Sequence, residues 1–325
     1  MKKNAITLLL LLLCPAIWAQ SGSASFGFLR LPASARLAAM GGDNISFVED
    51  APWAGYTNPA LYANVSDNSL GLHFMTYAAG SQLMGAEFVK AFGDRHTGAI
   101  TAQLMNYGSM DETDSQGNTI GSFSAKDISI GAAYSYLMSE RWTGGAALNF
   151  IYSGYADYNA TALSINLGLN YYNEDSDFSL SATASHIGFQ MSTFDGYAEK
   201  LPFNLQVGFT KGMNHLPVRF SVSMTDLTRW KKNYYFNGDD GDLGFGKLLL
   251  NHFVVGLDVQ PVDFLYLSAG YNFRRAHELK AAGSGHGAGL SFGGGFMLKR
   301  FKAGISYAKY HVSTASLMFN AGYNF

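Results

Sequence analysis

Four stretches of the chain have the residue types and spacing of catalytic motifs. Gly289-Leu290-Ser291-Phe292-Gly293 matches GxSxG, Ser306-Tyr307-Ala308-Lys309 matches SxxK, Ser66-Asp67-Asn68 matches SDN, and the run from Gly241 to Gly246 followed by Lys247 is similar to a phosphate-binding loop. Each needs a local structure that its neighbours deny. A nucleophile elbow sits at a strand–turn–helix corner, whereas Leu290, Phe292 and Phe296 continue one face of a strand. A strand throws Ser306 and Lys309 to opposite faces. SxxK also follows SDN here, the reverse of the penicillin-binding order, and no KTG exists. Leu248 stands where a P-loop places Ser or Thr on magnesium. The 8 histidines form neither HExxH nor an i, i+4 pair on a helix. Two acidic groups, Asp111, Glu112, Asp114 and Asp239, Asp240, Asp242, could hold calcium or a basic partner, but solvated loop tips are the simpler reading. The residues therefore point to a protein that is not an enzyme and uses no cofactor or metal.

The elements that would have to position such residues are strands. Charged residues make up 14% of the chain, against roughly 25% in an ordinary soluble domain. Mean hydropathy is nevertheless only +0.02. A membrane barrel reconciles the two values, with apolar side chains toward lipid and small or polar ones toward the lumen. The 19 Tyr, 24 Phe and 37 Gly suit interfacial aromatic girdles and close strand packing. A net charge of -2 gives no reason to expect nucleic acid as a partner. Residues 1–19 read as a signal peptide: Lys2 and Lys3, an apolar core from Ala5 to Leu13, and Ala19 before a cut at Gln20. Cys14, the only cysteine, also closes a lipobox-like Leu11-Leu12-Leu13-Cys14, although bulky Leu13 and following Pro15 argue against lipidation. After ordinary cleavage no thiol remains.

From residue 68 to 325 the pattern has period two. Trp142, Gly144, Ala146, Leu148, Phe150 and Tyr152 alternate with Thr143, Gly145, Ala147 and Asn149; the run from Leu265 to Phe273 repeats the grammar. About fourteen such runs start near residues 68, 82, 97, 126, 141, 159, 177, 201, 217, 251, 263, 288, 301 and 314. Each is about ten residues long, enough for a tilted strand to cross a bilayer. Short turns at 93–96, 139–140, 211–216 and 261–263 alternate with long polar segments at 108–125, 185–200, 226–247 and 274–287. The expected fold is all-β: a transmembrane antiparallel barrel in the outer membrane of a Gram-negative bacterium. Leu317, Phe319, Ala321, Tyr323 and Phe325 alternate to the last residue. That strand must pair with the first, because an open edge in lipid leaves backbone groups unsatisfied, and Phe319, Tyr323 and Phe325 form its barrel-closing terminal signal.

Residues 20–67 differ. They carry many apolar side chains, a short helix over 32–40 stopped by Gly41-Gly42, and an Asn58 N-cap followed by Pro59 and Ala60. Side chains alone would not fill a fourteen-strand lumen, so this segment is expected inside the barrel as a hatch. Glu87 and Arg219 fall on lumen faces and could pair with it, for example through Arg36.

The ordered set Leu31-Pro32-Ala33-Ser34-Ala35-Arg36-Leu37-Ala38-Ala39-Met40-Gly41-Gly42, Glu49-Asp50 and Asn58-Pro59-Ala60-Leu61 resembles the N-terminal signature of the PorV/PorQ family. The run from Tyr107 to Asp127 also resembles it. The resemblance implies a FadL-like barrel in type IX secretion, as practised by Bacteroidetes-type bacteria. It implies a noncatalytic anchor for the surface attachment complex, with a PorZ-like surface protein and PorU- and PorV-like proteins as partners, amid outer-membrane lipid and lipopolysaccharide. Trp230, Tyr234, Tyr235 and Phe236 would form the partner-binding loop, unless that loop folds over the barrel mouth. The alternative is a FadL-like channel for hydrophobic small molecules. It calls for an apolar pocket beside the hatch and a lateral opening at a kinked strand, for which Gly293-Gly294-Gly295 is a candidate. A lipid-modifying enzyme would need a Ser/His or His/Asp set at the rim, and none is evident.

Overall fold

A computed structural model describes residues 26–194, 196, 198–238, 243–284 and 287–325. The signal peptide, Cys14 and the acidic group Asp239, Asp240 and Asp242 lie outside the described residues. Fourteen strands follow in order: β1 (Ser69–Thr76), β2 (Gln82–Ala91), β3 (His96–Thr113), β4 (Thr119–Leu137), β5 (Trp142–Tyr155), β6 (Tyr158–Asn173), β7 (Phe178–Ser192), β8 (Asn204–Gly212), β9 (Val218–Met224), β10 (Phe253–Val262), β11 (Leu265–Asn272), β12 (Leu290–Met297), β13 (Phe301–Ala308) and β14 (Ser316–Asn324). Every strand pairs antiparallel with its sequence neighbours, and β1 with β14, so the sheet closes into a barrel without a free edge. Among the described residues, three short α-helices lie off the wall: α1 (Ala35–Ala39), α2 (Phe245–Leu250) and α3 (Phe273–Ala281).

Closure uses the alternating C-terminus. β14 runs against β1 from Ser69↔Asn324 to Met75↔Met318, setting Phe74 beside Phe319 and Leu70 beside Tyr323. The Phe325 amide extends the ladder to the Asn68 carbonyl at 3.1 Å. Leu317, Phe319 and Tyr323 face outward while Ser316, Asn320 and Asn324 are buried inside. β5 obeys the same rule, with Leu148 and Phe150 exposed and Asn149 turned in. The outcome is an apolar belt around a polar lumen wall, the arrangement that a bilayer stabilises and water does not.

The short turns occupy the end where β1 begins and β14 finishes; the longer connections gather at the other. One expected loop is instead sheet. Residues 108–125 are mostly paired, making β3 and β4 18 and 19 residues long. Hydrocarbon needs only about ten, so this hairpin projects well past the belt at the long-loop end. Likewise, 185–200 is strand as far as Ser192.

A hatch that touches the whole wall

Residues 26–65 cross the lumen. Phe26, Phe28 and Leu29 pack among Met75, Leu83, Met105 and Met318 near the long-loop end, while Val65 packs against Val89 and Ala99 near the short-turn end. Helix α1 is set by its cap: the Ser34 hydroxyl accepts the Leu37 amide, and the helix stops at Gly41 and Gly42, with φ of 103° and 94°. Only glycine takes such angles readily. Asn58 caps a 3-10 turn (Pro59–Asn64) by accepting the Ala60 amide, with Pro59 at its first position. This turn lies on Gly145 and Gly168 of the wall, where a Cβ would overlap Pro59 and Asn58 respectively.

Polar contacts tie the hatch to strands around the ring. Asn320 of β14 donates to the Ala33 carbonyl and accepts from the Ala35 amide. Ser291 of β12 donates to Ala39, Asn272 of β11 to Gly41, and Ser135 of β4 to Ala60. Ser46 meets Thr210 of β8 at 2.8 Å, and the Tyr56 hydroxyl reaches Gln103 of β3. Ser291, the serine of the GxSxG pattern, thus lies within a strand and holds backbone.

Arg36 is the strongest tie. Its Nε and Nη2 bond both carboxylate oxygens of Asp258 on β10, at 2.9 and 2.6 Å, and Nη1 lies 3.3 Å from Glu49 of the hatch. Its guanidinium also stands over Tyr266 (4.2 Å) and Phe47 (4.7 Å). Bidentate geometry and aromatic faces are what arginine, unlike lysine, can use. The pairing differs from that expected of Glu87 and Arg219. Glu87 pairs with His73 at 2.9 Å within the wall. Arg219 holds Asp177 at 2.7 Å and reaches the hatch through the Val48 carbonyl at 3.4 Å.

A second tie closes the long-loop end. Asp226, with a fully buried side chain, receives Arg30 of the hatch at 2.6 Å and Arg274 of α3 at 2.7 Å, with Arg229 at 3.6 Å. Burial works to raise this carboxyl, but Arg30, Arg274 and Arg229 together outweigh it and hold the pKa at about 2.

The expected partner loop divides. Trp230 and Phe236 are 41% and 54% exposed, whereas Tyr235 is buried with Leu243 and Leu248 and Tyr234 packs half-buried beside it. Trp230 stacks on His252 at 4.1 Å. Tyr235 therefore serves the loop's own core rather than offering a free face.

Beside the hatch is a lumen cavity of about 60 Å³. Its wall side carries the polar side chains of Thr101, Ser129, Asn149, Asn166 and Gln206, while Leu29, Ile45 and Tyr62 of the hatch give it an apolar side. The cavity also reaches Ser185 and His186, the site of a bulge in β7. Ile187 pairs with Ile165 but Ala184 with Leu167, so two residues oppose Asn166, whose side chain accepts the His186 amide at 2.7 Å. His186 has φ of 58°. Gly293-Gly294-Gly295, by contrast, is paired in unbroken register on both sides. The wall is irregular at β7, not at β12. Among the described residues no group of three or more metal-ligating side chains occurs.

Closed barrel, lumen hatch and long-loop rim together define a FadL-like fold. The structure is similar to the Pseudomonas putida toluene transporter TodX (TM-score 0.54, 15% identity, covering 90% of this chain and 97% of that one). It is similar also to the monoaromatic hydrocarbon channel CymD (TM-score 0.56, 10% identity, 91% and 98% covered) and to a FadL homologue of Pseudomonas aeruginosa (TM-score 0.54, 12% identity, 91% and 98% covered). No family model and no curated protein matches the sequence.

Proposed function

We propose that the protein is a noncatalytic outer-membrane channel for hydrophobic small molecules, closed at rest by its hatch. The observation that carries this reading is the lumen cavity that runs from the hatch to the bulge in β7, where the ladder is interrupted and a lateral exit breaks fewer bonds than it would through unbroken register. The likeness to TodX and CymD supports it at the level of fold. A cavity of about 60 Å³ is well below the roughly 150 Å³ that holds a benzene, so passage requires the hatch to withdraw from β3–β8. The test locks it in place. Ser46→Cys with Thr210→Cys replaces a 2.8 Å contact by a disulfide between hatch and β8. Uptake of a hydrophobic fluorescent probe by proteoliposomes should stop on oxidation and return on reduction; uptake indifferent to the lock overturns the channel.

A second reading has its own support. The N-terminal signature resembles the PorV/PorQ family, and Trp230 and Phe236 remain exposed at the long-loop end. In that reading the barrel anchors the type IX attachment complex through PorZ-, PorU- and PorV-like partners. Mild-detergent affinity purification from native outer membranes separates the two. Recovery of those partners supports the anchor, while the barrel alone with a bound hydrophobic molecule supports the channel.

A further inference from the structure

A crevice of about 430 Å³ lies outside the barrel at the long-loop end, between α2 and α3. Its floor belongs to the lipid-facing side of the wall. Tyr271 is on the outward face of β11, in line with exposed Leu267 and Ala269, and Phe273 opens α3 just above it. Leu250 of α2, 48% exposed, forms the facing side. Two lysines stand on this apolar ground, Lys247 from α2 and Lys280 from the last turn of α3, both exposed and both lining the crevice. Among the described residues neither is in an ion pair; the nearby Glu278 is taken by Arg274 at 3.1 Å. His277, bonded to Asn237 at 2.9 Å and 3.4 Å from Asn251, braces the two loops across the crevice.

The position is what gives these groups a ligand. β10 begins at Phe253 and β11 ends at Asn272, so α2 and α3 sit where the apolar belt gives way to water. A lysine there keeps its stem along apolar surface and its ammonium at headgroup level. An apolar cleft open toward the membrane with two exposed cations above it complements a molecule with acyl chains below and phosphates on top. Lysine binds phosphate as a point charge with freely turning donors.

The geometry points to a binding site for a phosphorylated glycolipid of the outer leaflet, of the lipid A type. Its acyl chains lie along Tyr271, Phe273 and Leu250, and its phosphates rest on Lys247 and Lys280. The site is separate from the lumen and independent of whether the barrel conducts or anchors.

The test uses the full chain in detergent, titrated with diphosphoryl lipid A and read by native mass spectrometry. Wild type should hold the lipid, and Lys247→Gln with Lys280→Gln should weaken it about thirtyfold, from two headgroup-level charges. The arginine pair Lys247→Arg, Lys280→Arg should retain it. Lys231→Gln with Lys232→Gln, on the same loop but off the crevice, should change nothing. Heat-modifiable migration on gels confirms that each variant is folded. Equal affinity in wild type and the glutamine pair overturns the site. So does competition by millimolar inorganic phosphate, which would mark a simple anion site, or equal retention of a zwitterionic phospholipid, which would mark a greasy surface without headgroup recognition.

Discussion

Replacing Arg36 by alanine should unseat the hatch without opening the barrel. The Arg36, Asp258 and Glu49 side chains are 3%, 2% and 3% exposed, so the substitution strands two carboxylates away from water. Asp258 keeps the Ser268 hydroxyl at 2.6 Å, and Glu49 keeps only the more distant Lys302, which is already paired with Asp50 at 2.9 Å. Breaking a buried pair from one side costs roughly 3–5 kcal/mol, and each 1.4 kcal/mol is about tenfold in an equilibrium. The unseated population should therefore rise about a hundred- to several thousandfold. Hydrogen exchange reads this directly at the Ala38 and Met40 amides, whose bonds to Ser34 and Arg36 exist only while α1 is formed. The strand amides of β1 and β14 should exchange as in wild type. Arg36→Met combined with Asp258→Asn and Glu49→Gln removes all three charges and should recover most of the loss, since a neutral replacement of a buried ion network is often tolerated. Exchange within about threefold of wild type in Arg36→Ala, or a triple variant no better than the single, would refute the assignment of Arg36 as the main tie.

Other consequences are open to measurement. Gly168→Val places a side chain into Asn58 and Pro59; overpacking of about 1–3 kcal/mol should make the hatch, but not the barrel, sensitive to thermolysin. Deleting residues 323–325 removes the Tyr323 and Asn324 pairings with β1 and the Phe325 bond to Asn68, and should cut the yield of heat-modifiable barrel in an assembly assay. The Asp226 carboxyl is held at about 2, below an unfolded value near 3.9. Its tie to Arg30 therefore contributes fully at neutral pH, persists at pH 4, and is lost only as pH falls through about 2. Accordingly, exchange at the Leu29 and Leu31 amides should be flat between pH 7 and 4 after correction for intrinsic rates. Asp226→Asn should raise it at every pH in that range.

Much of the barrel was legible because lipid and lumen impose opposite demands on alternate residues. Strand starts at 82, 142 and 301 fall where period two begins. Legibility stopped where the demand stops. Beyond the hydrocarbon both faces of a strand are wet, so Asp111, Glu112 and Ser122 show no alternation although they are paired in sheet. The bulge in β7 did leave a trace: outward residues are Leu180, Ala182 and Ala184, then Ile187, Phe189 and Met191, a slip of parity at Ser185-His186. Glycine-rich 293–295 is the plainer kink signal in the sequence, yet it stays in register on both sides. The partner of Arg36 was hidden for a different reason. Asp258 is 222 positions away, and only the closed register brings it to α1; its one signal was a lone carboxylate at an inward position of a strand with no other charge. Tyr234, Tyr235 and Phe236 are alike in sequence, and only the folded loop decides that Tyr235 turns in.

The hatch precedes β1 directly and spans the lumen from one end to the other, while β14, the last strand, both seals the ring and grips Ala33 and Ala35 through Asn320. A ring sealed first would have to admit α1 and the Asn58-Pro59 turn by threading past walls so close that Gly145 and Gly168 leave no room for a Cβ. An open sheet needs no threading: the segment can lie against its concave side while both edges are still apart. Packing the interior and sealing the wall are then one step in time, and Asn320 is positioned to register whether the interior is occupied at the moment the two edges meet.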